Sequence, residues 1–108
     1  MEASLLGHRG ALHWKIGRPE EARAEFLEAI SLLTKLGDLR RKAIWLSNFG
    51  EFLVDRGEID ASDRAFEEAR AILRSIGASV LEAEVQKSQK VANAARKAKG
   101  GAKSDGAV

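Results

Sequence analysis

At 108 residues and 11.7 kDa, the chain has room for one small domain with a modest core. Cysteine is absent and only two histidines occur, which excludes a disulfide scaffold, a thiol nucleophile and a multi-histidine metal site. The net charge of +2 is uneven, since residues 1–85 carry a net charge of −3 and residues 86–108 carry +5. The basic character of the chain therefore belongs to its C-terminal segment. The lack of cysteine and the presence of only two histidines give no reason to expect a cofactor or a metal.

No stretch of the chain predicts membrane insertion. Apolar runs stay well short of the ~20 residues that a bilayer-spanning helix needs. No charged and apolar segment resembles a secretory signal either. The sequence therefore predicts a cytoplasmic protein with no membrane partner.

Glycine and proline divide the first part of the chain into two helices. The first is predicted over about residues 3–16, because apolar residues recur at helical spacing at Leu5, Leu6, Leu12 and Ile16. Gly17 ends it, and Pro19 begins a second helix over about residues 19–36. Gly37 stands where a left-handed C-terminal cap belongs.

The same pattern follows a second time. Helices are predicted over about residues 39–56 and 59–76, ended by Gly57 and Gly77. Asp38 is expected to cap the first of them. The two pairs are the first units of the predicted domain organisation.

A fifth, more polar helix completes the prediction. Ser79 and Glu82 form a capping box at its beginning, and it is expected to run to about Lys99. The segment after it is rich in glycine, alanine and charge, which predicts disorder. The predicted units are residues 1–37, 38–77, a capping helix at 78–99 and a disordered tail at 100–108.

The two helix pairs form an internal repeat. A shift of 40 residues aligns nine identical residues between positions 3–38 and the following unit. They are Ala3, Leu6, Gly10, Gly17, Phe26, Glu28, Ala29, Leu33 and Gly37 in the first copy. Gly10 and its counterpart Gly50 lie inside helices, which indicates close approach of a neighbouring helix.

The repeated residues resemble the tetratricopeptide repeat. The first copy supplies Leu6, Gly10, Gly17, Ala22, Phe26 and Ala29, and the second supplies Leu46, Phe49, Gly50, Gly57, Phe66 and Ala69. The longer spacing is similar to that of the repeats in kinesin light chains and bacterial signalling proteins. The resemblance implies an all-α fold, a right-handed α-α superhelix of two helix pairs closed by a C-terminal capping helix.

The resemblance also implies a groove lined by the first helix of each pair. The residues that it assigns to partner binding are Trp14, Asn48, Ile44, His8, Lys15, Ser47, Glu51 and Asp55. Asn48 stands where many members hydrogen-bond a peptide backbone, Trp14 would supply contact area, and Ile44 an apolar fit. The charged members, Lys15, Glu51 and Asp55, would set charge preference.

Structural alternatives stay open for several of these residues. Trp14 is equally compatible with packing against a neighbouring segment, and Asn48 or His8 with a plain surface role. Trp45 and His13 are expected to be packing residues. The basic and amide side chains with which chaperone-binding members hold a C-terminal carboxylate are absent apart from Asn48, so that activity is excluded.

Other charged groups are assigned to the solvated surface. The acidic residues Glu20, Glu21, Glu25 and Glu28 follow exposed spacings on the second helix. The C-terminal basic run has no interleaved aromatics, so no nucleic-acid partner is expected. No catalytic motif is present.

The sequence thus predicts a non-catalytic protein–protein interaction module. It would bind a peptide or protein partner in its groove, within a bacterial-type signalling or scaffold assembly. The alternative is the structural end of a longer repeat array, acting through self-association as a homodimer by way of its uncapped first helix.

Overall fold

The computed structural model describes the backbone of residues 2–107 and the side chains of residues 2–95. Within that part it contains only helices, which are α1 (Ala3–Lys15), α2 (Pro19–Leu36), α3 (Leu39–Asp55), α4 (Ile59–Ser75) and α5 (Ser79–Ala107). The all-α fold class is confirmed.

Short local signals set the helix ends. Gly37 follows α2 with a φ of 71°, and its N–H donates to the carbonyls of Leu33 and Thr34. The Asp38 carboxylate then accepts the backbone N–H of Arg41 at 3.2 Å, which caps α3. The chain therefore leaves one helix and enters the next within two residues.

The helices stack as two hairpins with a fifth helix at the end. α1 pairs with α2 and α3 with α4, while α2 and α3 join the hairpins and α5 packs on both α3 and α4. The Arg23 guanidinium on α2 donates to Glu58, which precedes α4 in the turn of the second hairpin, with one N–O distance of 3.2 Å. This contact lowers the pKa of Glu58 and raises the pKa of Arg23.

Aromatic rings fill the joint between the hairpins. Phe26 of α2 lies 5.6 to 6.3 Å, between ring centroids, from three aromatic side chains of α3, which are Trp45, Phe49 and Phe52. Each such ring contributes about 1.5–3 kcal/mol when fully buried. A second cluster, formed by Leu46, Phe66, Leu73 and Val85 among others, joins α3, α4 and α5.

Small residues permit the closest helix contacts. A Cβ placed on Gly10 would lie 3.2 Å from Phe26, and one on Gly50 would lie 2.9 Å from Phe66. The predicted close approach at these two glycines is confirmed. Gly7 serves the same purpose between the hairpins, since its Cβ would lie 2.5 Å from the Trp45 ring.

Glu25 corrects the expectation of a solvated carboxylate. It is only 8% exposed, because it lies on the face of α2 that turns toward α1, next to Ala22 and Phe26. Its carboxylate contacts Arg9 Nε at 3.0 Å and the Nδ1 atom of His13. Two side chains of α1 thus supply the partners that a buried carboxyl group requires.

The fifth helix continues beyond its predicted end. It extends to Ala107, not to about Lys99, although residues 100–107 include three glycines, which disfavour helix. The side chains of residues 96–108 lie outside the described residues. The predicted disorder of residues 100–108 therefore stays a prediction.

Candidate partner-binding groove

Three helices contribute to one side of the stack. The 40-residue period places residue 8 of α1, residue 48 of α3 and residue 88 of α5 at equivalent positions. This side contains two adjoining pockets that share Ser88, one lined by α1, α3 and α5 and the other by α3, α4 and α5. We call this surface the inner groove.

The first pocket, here the Trp14 pocket, has a volume of about 220 Å³. Its described lining residues are Trp14, Glu51, Val54, Asp55, Ser88, Val91, Ala92 and Ala95. The Trp14 ring meets Phe52 edge-on at 5.6 Å between centroids, and its Nε1 donates to Asp55 Oδ2 at 2.9 Å. These two contacts fix the indole as one wall of the pocket.

Glu51 is the partly buried carboxylate of this pocket. Burial raises the pKa of Glu51 above its usual value of 4.5, while a hydrogen bond with Ser88 acts in the opposite direction. Among residues 2–95, no basic side chain forms an ion pair with it. The carboxylate therefore faces the pocket with its charge incompletely compensated.

The second pocket, here the Asn48 pocket, has a volume of about 160 Å³. Its lining residues are Ile44, Ser47, Asn48, Leu73, Leu81, Glu84, Val85 and Ser88. Asn48 is half-buried and Ile44 is exposed, whereas Ser47 is buried at 7%. A hydrogen-bonding amide thus stands beside an accessible apolar side chain, and Ser47 forms part of the pocket wall.

The two remaining predicted residues lie beside these pockets. His8 Nδ1 donates to the Ser4 carbonyl at 2.7 Å, and its ring meets Trp45 edge-on at 5.0 Å between centroids. Lys15 is exposed next to Trp14 at the end of α1. Six of the eight predicted residues therefore line the Trp14 pocket or the Asn48 pocket. His8 lines neither of them, and Lys15 lines a separate surface pocket with Ala11, Leu12 and Trp14.

The fifth helix contributes more residues to the groove than the sequence predicted. Ser88 links both pockets, and Leu81, Val85 and Ala92 complete their walls. Extending the 40-residue period once more from Asn48 leads to Ser88, which is the signal that identifies it. Trp45, expected to be a packing residue, is only 6% exposed.

The described residues form neither a metal site nor a membrane-spanning helix. No group of three or more histidine and acidic side chains there is arranged to hold a metal ion. None of the described helices is long and apolar enough to cross a membrane.

Comparison with known proteins covers most of the chain. A family model described as "Tetratricopeptide repeat" matches residues 1–75, which include both helical hairpins. No curated protein and no solved structure matches the chain.

Proposed function

Because the chain belongs to the tetratricopeptide repeat family, whose members are protein–protein interaction modules, we propose that it binds an extended peptide segment of a partner protein. The binding surface would be the inner groove, and the activity would be non-catalytic. The observation that carries this proposal is the pair of adjoining pockets, one lined by α1, α3 and α5 and the other by α3, α4 and α5.

Each groove residue has a role in this proposal. Asn48 would hydrogen-bond the peptide backbone, while Trp14 and Ile44 would contact apolar side chains. Lys15, Glu51 and Asp55 would select for charge, with Ser47 and His8 as peripheral contacts. The resemblance to long-repeat signalling proteins supports a cytoplasmic scaffold or signalling setting, with no cofactor or nucleic acid involved.

The test begins with selection of ligands. Randomised extended peptides displayed on phage are panned against the protein, and enriched peptides are measured by titration calorimetry. Asn48→Ala should weaken binding about tenfold, as expected for loss of a backbone hydrogen bond at a partly buried amide. Ser31→Ala, on the exposed face of α2, is the matched control and should bind as the original chain does. Failure to enrich peptides, or equal binding by Asn48→Ala, contradicts the proposal.

Self-association is the second candidate, and one observation favours it. The exposed side of α1 carries large apolar residues whose exposures are 52%, 55% and 58%, at Leu5, Leu12 and Ile16. An apolar helix face of this kind is typical of a surface covered by another protein. Sedimentation velocity would show a concentration-dependent dimer that Leu12→Gln dissociates. A chain that sediments as a monomer at every concentration excludes this candidate.

A further inference from the structure

We propose that the Trp14 pocket binds a lysine or arginine side chain of the partner peptide, with Glu51 as its counter-ion. The inference rests on the proposed function, and it specifies which chemistry the groove selects. Its support is the shape of the pocket, the character of its walls and its charge.

The size of the pocket suits one long side chain. At about 220 Å³ it is smaller than the cavities that enclose drug-sized ligands. The small side chains of Ala92 and Ala95 on α5 leave this space open opposite Trp14. A single extended side chain can therefore enter without moving a helix.

The walls match the stem of a basic side chain. Trp14, Val54 and Val91 provide apolar surface, against which the methylene groups of lysine or arginine can pack. The indole face also attracts a cation that passes over it. The Trp14 ring is already held in place by Asp55 and Phe52, so little ordering is needed when a ligand binds.

The charge of the pocket selects the sign of the ligand. Glu51 and Asp55 are its ionisable residues among the described lining, and none of that lining is basic. Lys15 on α1, the counterpart of Asp55 in the 40-residue period, and Lys87 on α5 are both exposed, and neither lines the pocket. An entering ammonium or guanidinium would compensate the partly buried charge of Glu51, whereas an acidic side chain would be repelled.

A double-mutant cycle on selected peptides tests this inference. Peptides enriched on the protein should contain lysine or arginine, and replacing that residue by norleucine should weaken binding about tenfold, the value of a hydrogen bond to a charged group. Glu51→Gln should cause a similar loss for the lysine peptide and little for the norleucine peptide. Glu28→Gln, an exposed carboxylate on α2, is the matched control and should cause none.

The outcomes separate this inference from the proposed function. If no peptide is enriched, the proposed function fails. If peptides bind and Asn48→Ala weakens them, but Glu51→Gln and norleucine do not, the groove is confirmed and the cation site is overturned.

Proton release gives an independent readout. Because burial raises the pKa of Glu51, a bound cation should restore its ionisation and release protons in weakly acidic solution. Calorimetry in two buffers of different ionisation enthalpy measures this release. It should be present for the lysine peptide and absent for Glu51→Gln, and equal release by both proteins contradicts the assignment.

Discussion

At the scale of single residues, the contacts that sequence reasoning missed join distant parts of the chain. No local pattern explains Gly7, because the ring that requires a glycine there belongs to a tryptophan 38 positions later, in the other hairpin. Trp45 was expected to pack, but nothing in its own surroundings indicates that its ring lies against the α1 backbone. A side-chain pattern along one helix shows which face is buried and not what covers it.

Gly7→Ala should therefore destabilise the protein, although alanine is the better helix former by about 1 kcal/mol. The new Cβ would lie 2.5 Å from Cε2 of Trp45, and such overpacking costs about 1–3 kcal/mol. Urea denaturation measures the loss. In a Trp45→Leu background the clash is absent, so the same substitution should become neutral or stabilising. A similar loss in both backgrounds would show that the ring is not the cause.

Glu51 should make stability depend on pH. Its pKa is raised in the folded protein above the usual 4.5, so its ionisation favours the unfolded chain. This destabilisation of the folded protein is absent below pH 4.5, where Glu51 is protonated in both states. It develops as the pH rises through the pKa that Glu51 has in the folded protein. Glu51→Gln should therefore be more stable than the original chain at pH 7, with no advantage at pH 3.5. An equal midpoint of urea denaturation at pH 7 contradicts this expectation.

At the scale of helices, the ends were predictable and one buried face was not. Pro19, Gly37 and Asp38 act within a few residues of their own positions, so local sequence identifies them. Glu25 was assigned to solvent because its burial depends on Arg9 and His13 from another helix. In the 40-residue period, the counterparts of Arg9, His13 and Glu25 in the second hairpin are apolar. They are Phe49, Leu53 and Ala65, which belong to the core cluster at the joint between the hairpins.

This comparison predicts that the polar trio limits association through α1. We consider a triple variant with Arg9→Phe, His13→Leu and Glu25→Ala. It gives the first hairpin the apolar residues that the second hairpin has at the equivalent positions. At equal concentration it should self-associate more strongly than the original chain. The substitutions add apolar area on α1 and remove the polar side chains that oppose association. Sedimentation velocity at matched concentrations measures the difference. The single variant Glu28→Ala, at an exposed position, serves as control, and unchanged sedimentation of the triple variant contradicts the prediction.

At the scale of the whole molecule, the 40-residue period allowed prediction of the stack, but not of how α5 completes the groove. Two hairpins and a polar fifth helix follow from repeated glycines, alanines and phenylalanines. The pockets depend on side chains of α5 at the joint with α3, since Ser88, Val91 and Ala92 supply their walls. The 40-residue period is weaker in α5, because several positions equivalent to core residues of α3 are polar there. The period therefore does not predict which α5 side chains line the pockets.

The fifth helix should be needed for stability only over its first part. Val85 is 5% exposed and packs with Phe66 and Leu73, and Glu82 accepts from Arg74 at 2.7 Å. A chain ending at Ala78 would expose that cluster, and each large core side chain uncovered costs about 1.5–3 kcal/mol. We expect a clear fall in the urea midpoint measured by circular dichroism. A chain ending at Ala95 keeps these contacts and should unfold at the original midpoint. A large fall in the urea midpoint of the chain ending at Ala95 would instead show that residues 96–108 contribute to stability.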